Sequence, residues 1–125
     1  MKKNESRENY LETILMLSKR RPVVRAVDIS NELGFSKASV SIAMKNLRSQ
    51  DYITVTEDGF IYLTADGLEL AQTVYEKHEL LTSFLTRLGV SPQVAEEDAC
   101  RMEHVISAET FQAIKEHVNG LSKNI

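Results

Sequence analysis

The segment DACRMEHVI, residues 98–106, holds the chain's one cysteine, Cys100, with Glu103 and His104 three and four positions later. On a helix turning about 100° per residue these three fall within roughly 100° of one another. Ala99, Met102 and Ile106 occupy another sector, available for packing on a core. A thiolate, a carboxylate and a neutral imidazole together suit a divalent transition ion of borderline softness, such as Fe2+, Zn2+ or Co2+. Magnesium and calcium call for oxygen alone. Each residue also has a plainer reading: a buried cysteine is commonly a small hydrophobe, Glu103 has Arg101 and Lys77 as pairing partners, and a helical histidine is commonly surface. Spacing alone leaves both readings open.

Other residues of the same chemistry are scattered along the chain. His78 lies in YEKHELL, as an exposed polar residue or a second imidazole. Asn9 and Glu12, three apart, share a face of the first helix. His117, near the C-terminal end, reads as surface. Catalysis finds little support: Cys100 and His104 belong to one rigid face with no oxyanion-hole loop, and there is no Gly-rich phosphate loop and no HExxH. The expectation is a protein that is not an enzyme.

These groups need elements to hold them. Tyr10, Leu11, Ile14, Leu15 and Leu17 recur at helical spacing and predict a helix over 6–19. DISNEL, 28–33, reads as a short helix closed by Gly34 at the C′ position. Ser36 reads as the N-cap of a helix over 37–50 with an apolar stripe of Val40, Met44 and Leu47. In YITVTEDGFIYLT, 52–64, two β-rich runs flank Glu57-Asp58-Gly59, a hairpin signal. A long amphipathic helix follows from Ala65 to about Arg87, offering Leu68, Ala71, Val74, Leu81 and Leu85 for burial. Helices over 94–106 and 108–118 complete the chain, with Asn119-Gly120 as the stop and a frayed tail.

Helix, helix, tight turn, helix, hairpin is the order of a winged helix-turn-helix. The fold expected is therefore mainly α with a small β-hairpin wing: a winged helix-turn-helix DNA-binding domain over 1–64 and a helical metal-binding and dimerisation domain over 65–125. Charge agrees with this division. The net charge is −3, yet residues 19–48 carry seven bases (Lys19, Arg20, Arg21, Arg25, Lys37, Lys45, Arg48) against Asp28 and Glu32, whereas residues 64–125 carry ten acids against five bases. A basic block ahead of an acidic half points to an anion-binding module joined to another unit. The bland alternative is a small mixed domain with solvated surface charge.

With Val40, Met44 and Leu47 inward, the residues facing DNA are Ser36, Lys37, Ser39, Ser41, Ile42, Lys45 and Arg48. The lysines and Arg48 suit phosphates, the serines are permissive readers, and Ile42 suits a thymine methyl. No Asn, Gln or Arg stands at the first exposed turn, so DNA shape and dimer spacing contribute to specificity. No apolar run approaches the roughly 20 residues that span a bilayer, and one cysteine cannot form an internal disulfide, so a reducing cytoplasm is the expected setting.

EEDACRMEHVIS resembles the segment that marks the diphtheria-toxin-repressor and manganese-transport-regulator family of metal-dependent transcriptional repressors. YLETILML, the winged-helix region and YEKHELLTSFLTRLGV extend the likeness over nearly the whole chain. The resemblance implies a homodimer on a palindromic operator in double-stranded DNA, Fe2+ or Mn2+ as co-repressor, with Zn2+ or Co2+ as further candidates, and target genes for metal uptake. It places the primary-site ligands on Cys100, Glu103 and His104, and the thiol, where the manganese branch has Glu, tilts toward the iron branch. The first-helix ligand falls on Asn9, a neutral and weaker donor, while Glu12 matches the manganese branch's second carboxylate. His78 matches a histidine of both branches. The ancillary carboxylate position is Thr82 here, and the ancillary histidine falls on Glu96, a weaker candidate. The longer members carry a C-terminal SH3-like domain; a two-domain regulator is expected here.

The mechanism that follows is linkage. A metal shared by Glu12 and by His78, Cys100, Glu103 and His104 would fix the two modules in one orientation, with recognition helices about 34 Å apart. Two alternatives are a winged-helix regulator sensing thiol oxidation at Cys100, and a metal-binding protein that does not engage DNA.

Overall fold

Val40, Met44 and Leu47 are buried to 5% exposure or less, and so are Leu11, Ile14 and Leu17 of the first helix. These stripes organise the first half of the molecule. In a computed structural model, which describes residues 2–123, the order is α1 (Lys2–Arg20), α2 (Ala26–Leu33), α3 (Lys37–Ser49), β1 (Ile53–Val55), β2 (Ile61–Leu63), α4 (Ala65–Arg87), α5 (Pro92–Met102) and α6 (Ala108–Lys123). The chain divides into two compact units, Met1–Thr73 and Val74–Ile125, the division falling inside α4.

In the N-terminal unit α1 packs on α2, α3 and β2, and each fully buried Leu or Ile stabilises it by about 1.5–3 kcal/mol relative to exposure. α2 starts two residues earlier than its sequence suggests. Asp28 sits at the third helical position, and its carboxylate accepts from the Arg25 N–H at 2.9 Å, which satisfies an otherwise orphaned donor. The helix closes on Gly34 at φ 71°, whose N–H donates to the Ser30 carbonyl. Three local contacts then fix the turn into α3. Ser30 Oγ donates to the Phe35 carbonyl at 2.6 Å, the Phe35 ring meets Tyr10 edge-on at 5.9 Å, and Ser36 caps α3 by accepting from the Ser39 N–H.

The wing is an antiparallel pair with Ile53 opposite Leu63, Thr54 opposite Tyr62 and Val55 opposite Ile61. Its turn is closed by Gly59, at φ 83°, donating to the Thr56 carbonyl. β2 is also anchored on its other edge, where the Ile61 N–H donates to the Val24 carbonyl at 2.8 Å. α4 starts hard against the wing: a Cβ on Gly67 would overlap the Tyr52 carbonyl oxygen, so only glycine allows that approach.

In the C-terminal unit Val74, Leu81, Ala95, Ala99 and Val118 are buried. A Lys115–Glu76 ion pair at 2.7 Å and an edge-on Phe84–His117 contact join α6 to α4. Two sequence expectations change here. α5 ends at Met102 rather than Ile106, and α6 continues through Asn119-Gly120 to Lys123. Gly120 does not adopt the left-handed conformation that would stop the helix, and buried Val118 holds that turn in place. Leu68 and Leu88 are exposed, at 38% and 66%; Leu68 therefore leaves the list of core residues. Of the tail expected to fray beyond Gly120, residues 121–123 continue α6, and residues 124 and 125 lie outside the described residues. No helix among the described residues is long and apolar enough to cross a membrane.

Candidate metal centre and nucleic-acid interface

Ala95 and Ala99, both fully buried, set the inward face of α5 and bring its last turn, with Cys100, against the unit's interior. The sequence reading carried the helix on through Glu103 and His104. Instead Glu103 is the C-cap, its N–H still donating to Ala99, and the N–H groups of Val105 and Ile106 both converge on the Met102 carbonyl. The chain tightens into a turn that carries His104. The three side chains nevertheless converge: Cys100 Sγ, a Glu103 oxygen and a His104 ring nitrogen lie within 4.8 Å of one another.

Glu103 is the centre of this arrangement. Its side chain has no solvent exposure, and that of His104 has 3%. Since a carboxylate only accepts, the 3.1 Å contact with His78 is Nδ1–H donating to Oε2. Oε1 lies 3.3 Å from His104 Nε2 but makes no hydrogen bond of good geometry. Burial pushes the Glu103 carboxyl upward; the close approach of the His104 ring, the His78 hydrogen bond and the positive charge of both rings outweigh that and leave it below its ordinary value. A buried carboxylate oxygen without a good donor, beside sulfur and an imidazole nitrogen, is a donor set that fits a borderline divalent cation.

A cleft of about 480 Å³ is lined by His78, Gln93, Glu96, Glu97, Cys100 and Arg101. His78 and the exposed Glu96 thus border the half-buried thiol. The hydroxyl of Thr82, at the position where the family resemblance has a carboxylate, donates to the His78 carbonyl at 2.8 Å. Asn9 and Glu12 lie on α1 in the N-terminal unit; Glu12 is 6% exposed, and the Asn9 carbonyl accepts from Thr13 Oγ1. Gln93, Glu97 and Arg101 are cleft residues that the sequence reading passed over, although their spacing with Cys100 on α5 puts them on one face. The His78–Glu103 bond joins residues 25 positions apart and has no local signature.

In the N-terminal unit the seven residues expected to face DNA are all exposed along α3 and at its cap. Much of the basic block's remaining charge is engaged internally. Arg20 pairs with Glu32 at 3.1 Å, Arg21 with Asp28 at 3.4 Å, and Arg25 stacks on Phe60 at 4.8 Å. Lys37, Lys45 and Arg48 therefore dominate the α3 surface. Lys45, Arg48 and Ser41 line one wall of a groove of about 330 Å³ whose other wall is Val55, Gly59 and Ile61 of the wing. Such a groove suits a phosphate backbone.

Residues 3–59 match the iron dependent repressor N-terminal DNA binding domain, and residues 64–124 match the iron dependent repressor metal binding and dimerisation domain. The chain belongs to the iron-dependent repressor family. Over 108 residues it is 37% identical to the transcriptional regulator MntR of Escherichia coli O6:H1, covering 86% of this chain and 70% of that one. It is 30% identical over 115 residues to an uncharacterised HTH-type regulator of Methanocaldococcus jannaschii, covering 90% and 91%. Among solved structures, the manganese regulator SloR superposes with a TM-score of 0.80 at 28% identity, and IdeR of T. acidophilum with 0.80 at 27%. Each covers 90% of this chain but only 53% of its own length, so the chain spans about half the length of those two proteins.

Proposed function

We propose that this chain is a metal-activated, DNA-binding transcriptional repressor of the cytoplasm, working as a homodimer on a palindromic operator and controlling genes for metal uptake. The observation that carries the reading is the convergence of Cys100, Glu103 and His104 within 4.8 Å, in a chain whose N-terminal unit is a winged helix-turn-helix. Cys100, Glu103 and His104 would hold the ion, with His78 orienting Glu103 through its hydrogen bond and Glu96 as a weaker contributor at the cleft. Glu12 and Asn9 stay as candidates resting on the sequence. A bound divalent ion supplies the positive charge that this buried donor set lacks. Mn2+ and Fe2+ are the favoured ions: SloR is described as a manganese regulator, and the matching domain models are described as iron dependent.

The residues then act in defined protonation states. Cys100 would bind as thiolate and His104 through a neutral nitrogen, so metal affinity weakens as the solution is acidified. The recognition surface comprises Ser36, Lys37, Ser39, Ser41, Ile42, Lys45 and Arg48; the cations hold phosphates, which makes affinity steeply salt-dependent. Activation follows from population: if metal raises the fraction of protein competent for DNA, apparent affinity rises by the same factor.

An anaerobic titration of Fe2+, Mn2+, Zn2+ and Co2+ into the apo-protein tests this, comparing wild type with Cys100→Ala and Glu12→Ala. The expected results are a Co2+–thiolate absorption abolished in Cys100→Ala, a lowered affinity in Glu12→Ala, and binding to duplex DNA that collapses on chelation. Saturable binding of no metal, or DNA binding indifferent to chelator, would refute it. Chelator indifference together with sensitivity to peroxide would instead mark Cys100 as a redox sensor.

A further inference from the structure

We infer that Ile42 reads sequence for this repressor by seating its side chain against thymine methyl groups in the major groove. The inference rests on the reading above that α3 is a recognition helix, and it names how that helix discriminates. Ile42 is 64% exposed, on a helix whose other large apolar residues, Val40, Met44 and Leu47, are at 5% or less. By helical angle it points about 165° away from the centre of that buried stripe, so it occupies the outermost line of α3. One turn earlier on the same line stands Ala38, also exposed. The two make a short apolar ridge where a DNA-binding helix meets bases.

The neighbours leave the discrimination to this ridge. Ser36 and Ser39 bond to each other at 2.9 Å, and Ser36 also caps the helix, so part of their hydrogen-bonding capacity is used locally. Ser41, Lys45 and Arg48 line the groove toward the wing, where cations meet phosphate and carry no sequence information. Asn46, the next residue on the outer line, lies toward the C-terminal end of α3, whereas base edges are met by the N-terminal part of a recognition helix; over that part no side chain on the line can make a bidentate bond to a base edge. The C5-methyl of thymine is the one apolar group displayed in the major groove, and it is the natural complement to an exposed branched aliphatic side chain.

Single-methyl deletion tests this directly. A duplex is selected from a random-sequence library with the Mn2+-loaded chain, and each thymine is then replaced singly by deoxyuridine, which lacks only the methyl. The expected result is one thymine position per half-site whose replacement weakens wild-type binding about fourfold, the value of one buried methyl-sized group. That penalty should vanish in Ile42→Ala and persist in Ile42→Val. Because Ile42 is exposed, both variants should melt with the wild type, which separates lost recognition from lost folding. Equal deoxyuridine penalties in wild type and Ile42→Ala, or none above twofold, would overturn the assignment. If no duplex is enriched at all with Mn2+, the DNA-binding reading itself fails and the inference falls with it; enrichment without a methyl effect refutes the inference alone.

Discussion

Replacing Glu103 by glutamine alters charge while hardly changing volume, and the geometry sets how much should be lost. The fully buried carboxylate accepts from His78 at 3.1 Å and faces His104 at 3.3 Å. A hydrogen bond to a charged group contributes about 1.5–3 kcal/mol, against roughly 1 kcal/mol for a neutral one. Glutamine keeps the weaker kind, so the metal-free variant should lose about 1 kcal/mol, roughly 4 °C in Tm for a chain of this length. Metal adds a second difference. At a Mn2+ concentration a hundredfold above Kd, the wild type should gain about 2.7 kcal/mol, whereas Glu103→Gln, without its anionic oxygen, should gain almost nothing. Thermal melts with chelator and with Mn2+ read both quantities. Cys100→Ser gives the complementary pattern: its half-buried sulfur makes it nearly neutral to the metal-free protein, but the metal-induced shift should disappear. The reasoning is refuted if Glu103→Gln melts with the wild type in chelator and shifts equally with Mn2+.

The pH dependence of the same pair has a definite sign. A carboxyl held below its ordinary value contributes stability that is complete above that value and lost as pH falls through the folded-state one. The chelated wild type should therefore exceed Glu103→Gln in stability between pH 4.5 and the ordinary imidazole range of about 6.5, the gap closing in more acidic solution as the carboxylate is protonated; a gap that widens as pH falls below 4.5 would contradict it. Two glycines should respond oppositely to alanine. Gly67→Ala drives a Cβ into the Tyr52 carbonyl and should cost about 1–3 kcal/mol, while Gly120→Ala, inside α6 with open space around it, should add about 0.5–1 kcal/mol; denaturant titrations compare them. Asp58 is exposed at the wing tip beside Glu57, so Asp58→Lys should tighten Mn2+-dependent DNA binding and, if the new lysine reaches a phosphate, steepen the salt slope by about 0.9. Unchanged affinity in filter binding across a salt series would place the wing tip away from DNA.

Where local rules were sufficient, the sequence could be read closely. Gly34 takes the left-handed conformation a helix stop requires, Ser36 caps α3, and Glu57-Asp58-Gly59 turns the wing. Each depends on residues within a few positions. The end of α5 was not legible in this way, since nothing in RMEHVIS is glycine or proline. There Glu103 is held by His78, a partner 25 residues away, and the N–H groups of Val105 and Ile106 share the Met102 carbonyl. Asn119-Gly120 misled for the opposite reason: glycine permits a stop without enforcing one, and Val118, 5% exposed, keeps α6 packed at that turn. The donor trio was readable because i, i+3 and i+4 remain neighbours even as the helix tightens. The cleft beside it gathers α4 and α5, an encounter between elements that no local pattern records.

The two faces of α3 divide their labour completely. Val40, Met44 and Leu47 attach the helix to its unit, whereas Ser36, Lys37, Ser39, Ser41, Ile42, Lys45 and Arg48 are all exposed. Exposed positions remote from structural features tolerate replacement within about 0.5 kcal/mol. Most of the proposed reading surface can therefore drift with little loss of foldedness and without touching the cysteine, glutamate and histidines of the other unit. Under the proposed function, a duplicated copy of this gene could acquire a new set of targets through a few surface changes while answering the same ion. The reverse holds as well: a change in the ion that is sensed need leave no trace on the promoters bound. What a regulator of this build senses and what it governs are separately heritable.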